Sequence, residues 1–137
     1  MNDRYLFRAK RINNGEWVEG YYRHIPCLDE HYILPINPRN RMESYAVDTS
    51  TICQCTGLYD EDRKKIFEGD IVGFIDCTST ENGYSEHYCV GQVLWDQETA
   101  SFQVTERLSA ESYEVLDRGC KVLGNIFDNA ELMEEWK

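Results

Sequence analysis

No stretch of this chain approaches the roughly 20 apolar residues of a membrane-crossing helix. Its opening residues, MNDRYLFRAKR, also lack the apolar core of a secretory leader. The expectation is a soluble, unexported protein of a reducing cytoplasm, with no membrane partner. Helical periodicity is nearly absent too, which excludes a helical bundle. Basic residues are scarce beyond position 65: residues 66–137 hold fifteen acidic side chains against only Arg107, Arg118, Lys121 and Lys137. Residues 1–65 hold ten of each sign, so the whole net charge of −11 arises in the second half. A surface that negative repels phosphate backbones and anionic lipid, and no nucleic-acid partner is expected. The catalytic signatures are missing as well. There is no phosphate-cradling G-x-x-x-x-G-K, no G-x-S-x-G elbow and no H-E-x-x-H helix.

What is present is ordinary globular material. A chain of 137 residues, 42% hydrophobic and 12% aromatic, suits one compact unit or two very small lobes, and it buries enough surface to fold without a disulfide or a metal. Short aromatic and β-branched runs are cut by turn residues every eight to twelve positions, a pattern of short strands. Tyr5, Phe7 and Ala9 alternate with Leu6, Arg8 and Lys10, predicting a half-buried strand with a cationic outer face. Asn13-Asn14-Gly15 reads as a hairpin turn, because Asn and Gly accept positive φ at low cost, and Trp17 to His24 is the returning strand.

Tyr32-Ile33-Leu34 predicts a short strand, and Pro35 to Arg41, with prolines at 35 and 38, a loop. Strands are expected at Tyr45 to Val47 and Thr51 to Cys55, then Gly57 to Phe67 as a polar turn between two anchors. Glu68 to Val72 opens a strand reaching about Cys77, Glu81-Asn82-Gly83 turns a second hairpin, and Tyr88 to Trp95 pairs with Phe102 to Thr105. Residues 106–118 show no clear period and read as irregular or weakly helical.

The C-terminus predicts a helix over 128–137. Asp128 stands as N-cap with Glu131 three residues on, Phe127 and Leu132 occupy staple positions, and Leu132, Met133 and Trp136 share one stripe. The fold expected is therefore mainly β, with an N-terminal hairpin region over 1–57, an SH3-like barrel over 58–127 and this short helix.

Four blocks carry a resemblance. They are Phe7 to Lys10 before Glu16 to Gly20, Thr51 to Leu58, Lys64 to Val72, and Val122 to Asn129 with Glu131-Leu132. In this order they resemble the YopX family of phage and prophage proteins. The resemblance implies a small, mainly β protein of bacterial viruses or prophages and supplies no catalytic residues. Asp62-Arg63 stands where the family commonly has an Asn-Gly turn, Ala130 where it commonly has Pro, and Cys53 and Cys55 replace its usual neighbours of Gln54.

Cys53-x-Cys55 and His87-x-Cys89 offer soft ligands for zinc, yet an extended i, i+2 pair holds its sulfurs roughly 7 Å apart. Structural zinc favours curled C-x2-C turns instead. The six cysteines, with Cys27, Cys77 and Cys120, are expected as thiols packed like small hydrophobes, with no metal or cofactor. Ser85 and His87 are strand neighbours that nothing orients. Asp60, Glu61 and Asp62 are offset by Arg63, Lys64 and Lys65 and read as a solvated turn. His24 and His31, flanking Cys27, read as surface or satisfied polar residues. Trp17, Trp95 and Trp136 read as core.

The function expected is a non-catalytic accessory protein acting through protein contacts, as a homo-oligomer or on a host protein. Its cationic strand (Arg4, Arg8, Lys10) would face the acidic region 79–117 of the next copy. The alternative is an acidic decoy that mimics DNA and occupies a host nucleic-acid-binding protein.

Overall fold

The structure, a computed structural model, describes residues 3–40 and 42–134. It is mainly β. Its strands are β1 (Phe7–Lys10), β2 (Trp17–Ile25), β3 (Glu30–Pro35), β4 (Tyr45–Ala46), β5 (Cys53–Tyr59), β6 (Lys65–Phe67), β7 (Asp70–Thr80), β8 (Gly83–Asp96), β9 (Ser101–Glu106), β10 (Ser112–Glu114) and β11 (Lys121–Asn125). The chain divides into two compact units, Met1–Gly57 and Leu58–Lys137, and β5 runs through the boundary.

In the first unit the strands lie in the order β4-β3-β2-β1-β5, all antiparallel where paired. Period-two alternation makes β1: Ala9 is fully buried with Ile33 and Val47, and Phe7, Val18, Tyr22 and Ile52 pack around them. Gly15 supplies the left-handed turn between β1 and β2 at φ +72, its amide donating to the Arg11 carbonyl at 2.9 Å. Pro35 ends β3, as a residue without a ladder donor should.

One expectation fails at the start of this unit. Tyr5 is 71% exposed and Leu6 is buried. The reason is a 3₁₀ turn at Asp3–Tyr5, closed by the Leu6 amide on the Asp3 carbonyl, which resets the alternation before β1 begins. Arg8 and Lys10 do share a face, but they lie over the Trp17 ring, at 4.9 and 5.3 Å from its centroid. Trp17 is half-buried beneath them.

The second unit holds a sheet in the order β10-β9-β8-β7-β11. Its core is Ile66, Val72, Phe74, Cys89, Val93, Val104 and Cys120, with Leu58, Phe102, Tyr113, Val115 and Val122 against it. This sheet is open, with β10 and β11 as its edges, where a closed SH3-like barrel was expected. Closure needs edge strands long enough to meet, and β10 has three residues and β11 five, the latter broken by a register shift between Val122 and Gly124. Residues 112–114 pair as β10, in a segment that shows no period in sequence.

The expected C-terminal helix is, within the described residues, a single 3₁₀ turn at Ala130–Met133. Its N-cap is Asn129, not Asp128, and the Asn129 side chain is spent elsewhere, accepting the Asn125 amide at 3.1 Å. Without that cap, and well short of the about 12 residues an isolated helix needs, a longer helix has little to start it. Trp136, the last residue of the expected stripe, lies outside the described residues. Trp95 also departs from expectation: it is 44% exposed, meeting Phe102 edge-on, because it lies toward the sheet's open end.

The turn between β5 and β6 explains a residue at which the chain departs from its family resemblance. Arg63 sits at φ +65, its amide donating to the Asp60 carbonyl at 3.0 Å, in a conformation that glycine adopts without strain. Arg63→Gly should therefore stabilise the protein by about 0.5 kcal/mol, the relief of strain outweighing the added freedom of the unfolded chain. A urea titration showing a lower midpoint for the variant contradicts this.

Candidate functional site

The structure scatters most of the sequence candidates. Cys53 and Cys55 are buried in β5 and Cys89 and Cys120 in the core of the second unit, whereas Cys27 and Cys77 are exposed, and all six are thiols. Burial, then the nearby Asp60 carboxylate, pushes the Cys120 thiol up to about 11, and burial followed by Glu106 raises Cys89. These sulfurs are therefore protonated at neutral pH, which suits packing and not nucleophilic attack. Ser85 and His87 stand on one face of β8, both exposed.

The acidic turn is not the solvated element expected. Asp60 is 1% exposed, and its carboxylate accepts backbone N–H groups from Asp62 at 2.9 Å, Lys64 at 2.8 Å and Val122 at 3.0 Å. Glu61 and Asp62 do face solvent. Asp60 thus ties the turn to β11, a structural role that sequence spacing does not reveal because Val122 is 62 residues away. Glu106 is built likewise: buried, it accepts the amides of Leu108 and Ser109 and the Ser109 hydroxyl.

Two features remain that carry functional groups to the surface. The first is at the end of the β2–β3 hairpin. His24 and His31 are directly opposite each other in the ladder, so both imidazoles leave the same face. The rings stack at 4.1 Å, tilted by 8°. The turn between them places Asp29 at φ +49, a left-handed position that Asp tolerates better than most residues. Its Oδ1 lies 3.6 Å from His24 Nε2 and 3.4 Å from His31 Nε2. The Tyr22 hydroxyl meets His31 Nδ1 at 2.5 Å from the other side. Sequence reasoning reads the histidines as surface or satisfied polar residues and does not pair them; the signal available is their equal distance from one turn, a spacing that a hairpin makes adjacent.

The second feature is a projecting ribbon. β11 pairs with β7 only through Asp70–Gly73, and β9 pairs with β8 only from Gly91 onward. Beyond those points β7 and β8 pair with each other alone, from Phe74↔Cys89 to Thr80↔Gly83. The register places Ile75, Cys77 and Ser79 on one face with Tyr88, Glu86 and Tyr84, while Asp76, Thr78 and Thr80 share the other with His87, Ser85 and Gly83. Ile75, Tyr84 and Tyr88 are 53%, 63% and 64% exposed. The Tyr84 hydroxyl lies 3.2 Å from Cys77 Sγ and 2.6 Å from a Glu86 carboxylate oxygen that accepts its hydrogen bond, and the contacts with Cys77 and then Glu86 raise its pKa.

A family model described as YopX protein matches residues 6–134. The chain belongs to the YopX family. No curated protein matches it. In this YopX-family chain the four blocks of resemblance fall on β1 and the start of β2, on β5, on β6 with the start of β7, and on β11 with the turn after it. They contribute Ala9 to the first core and Ile66 and Val72 to the second. Neither the histidine pair nor the ribbon lies within them. No helix among the described residues is long and apolar enough to cross a membrane.

Proposed function

We propose that this is a non-catalytic accessory protein of a phage or prophage, working in the host cytoplasm through protein contacts and assembled as a homo-oligomer. One observation carries the reading: the ribbon from Ile75 to Tyr88 is a two-stranded hairpin extended past its sheet, with three large apolar side chains on one solvent-facing surface. Two strands alone are marginal in water, so an element of this kind gains stability when a partner covers it. Its edges carry no Lys, Arg or Pro between Phe74 and Val90, the residues that commonly protect an exposed edge from pairing.

Charge complementarity supports a second copy of this chain as the occupant. The ribbon contributes Asp76, Glu81 and Glu86, and the opposite sign is carried by Arg4, Arg8, Lys10 and Arg11, of which Arg8 and Lys10 lie over the Trp17 ring and Arg11 over the Tyr45 ring. Such a contact is heterologous, so it must close into a ring if it is not to run on as a filament. Exposed ion pairs add no more than about 1 kcal/mol each, so the apolar face supplies most of the affinity. The decoy alternative draws less support, since Asp70 and Glu106, two of the acids such a surface would display, are buried.

Sedimentation of the intact chain at low salt tests the reading. The expected result is a mass above the monomer at micromolar concentration, lowered by raised salt and by Ile75→Ser with Tyr84→Ser. A strictly monomeric mass rejects the oligomer. An assembly that the ribbon changes leave untouched, with Arg4→Glu equally silent, rejects this interface.

A further inference from the structure

We propose that His24, Asp29 and His31 form a binding site for a divalent first-row transition-metal ion, zinc foremost, at the end of the β2–β3 hairpin. Among the described residues this is the group whose ligand atoms, two imidazole nitrogens and a carboxylate oxygen, all lie within 4.8 Å of one another. The two separations from the carboxylate oxygen are close to those a metal requires, and the two nitrogens lie within 4.8 Å of each other. A tetrahedral zinc ion with bonds of about 2.0–2.1 Å holds adjacent ligand atoms about 3.3–3.4 Å apart. Asp29 Oδ1 lies 3.6 Å from one Nε2 and 3.4 Å from the other.

The surroundings prepare the donors. A histidine binds metal through a nitrogen without its proton, and a hydrogen bond at the other nitrogen selects that tautomer. The Tyr22 oxygen at 2.5 Å from His31 Nδ1 can take the Nδ1–H, which leaves the Nε2 lone pair directed at Asp29. His31 is further held by stacking between Tyr22 and His24, at centroid distances of 5.9 and 4.1 Å. The hairpin register places both rings on one face before any ion arrives. Because they stack at only 8° to each other, the more exposed His24 ring must rotate about its side-chain torsions to aim its nitrogen at a shared ion.

A dication placed among the three atoms gives the carboxylate oxygen and both ring nitrogens a common partner. Two nitrogens and one oxygen suit zinc, cobalt or nickel better than calcium or magnesium, which prefer oxygen alone. Three protein ligands leave a coordination position open to water, and Asp29 lies at the exposed end of the group.

The test uses zinc chloride and, separately, cobalt chloride added to the intact reduced chain. Competition against a chromophoric chelator should give about one zinc per chain with micromolar affinity. His24→Ala and Asp29→Asn should each weaken it by roughly tenfold or more. Both lie on the exposed side of the site, and circular dichroism of the variants checks that the sheet persists. Cys27→Ser, in the same turn, should leave the affinity unchanged. The cobalt form should show weak visible bands and no thiolate-to-metal charge transfer. Zinc binding that the His24 and Asp29 changes do not weaken, a thiolate signature in the cobalt spectrum, or no binding at high micromolar zinc overturns the assignment.

Discussion

Asp60→Ala should be among the most destabilising single substitutions in the chain, lowering the free energy of unfolding by about 3 kcal/mol. The side chain is 1% exposed and serves as acceptor for three backbone amides, those of Asp62, Lys64 and Val122. Removing it strands these donors where water reaches them poorly, and the cost of an unmet buried donor exceeds the gain of a made bond. Asp60→Asn keeps one carbonyl acceptor and should lose about half as much. Urea denaturation of both variants measures this, and an Asp60→Ala midpoint within error of the parent chain contradicts it.

The same residue predicts an acid transition. Burial pushes the Asp60 carboxyl upward, but the amides of Val122, Lys64 and Asp62, with Lys64's charge, outweigh it and hold it below the ordinary carboxylate range. Glu106 behaves alike: burial raises it, and the amides of Ser109 and Leu108 with the Ser109 hydroxyl bring it net downward. A depressed pKa means that the folded state binds the proton less readily than the unfolded chain. The stability these groups supply is therefore complete above the unfolded value, about 4, and is lost as pH falls through the lower folded value. The pH dependence of unfolding should steepen below about pH 4 and become shallower in Asp60→Asn.

Gly20→Ala should cost about 3 kcal/mol or more and melt the first unit's sheet. A Cβ at Gly20 would stand 1.9 Å from the Leu34 carbonyl oxygen and 3.0 Å from the Pro35 Cα. These are backbone atoms of β3, so no rotamer change relieves the collision. β2 must move off β3, and with it the register that holds Phe7, Val18 and Ile33 around the first core. Gly15→Ala is the control. It sits at φ +72 with open space around it, so only conformational strain of about 1 kcal/mol is added. Equal costs for the two substitutions would show that the β2–β3 approach is not as tight as described.

Local chemistry was readable without coordinates. Asn13-Asn14-Gly15 and Glu81-Asn82-Gly83 turn hairpins because their residues accept the required dihedrals, and the strands flanking them follow from alternation. The failures occur where a distant residue intervenes. Leu6 replaces Tyr5 in the interior because a 3₁₀ turn shifts the phase. The C-terminal cap is lost because Asn129 turns to Asn125. Asp60 looked solvated beside Arg63, Lys64 and Lys65, and only β11 makes it buried.

By itself, then, the sequence determined a mainly β chain, the places of its turns, its family and its acidic second half, since each is set by the residues' own dihedral preferences, spacing and charge. Tertiary structure decided the rest. Strand register brought His24 and His31 face to face around Asp29, and strand length carried the β7–β8 ribbon past its neighbours. Both depend on which residues of separate strands lie opposite each other, and that is set by the summed packing and hydrogen bonding of whole sheets, which no short stretch of sequence contains.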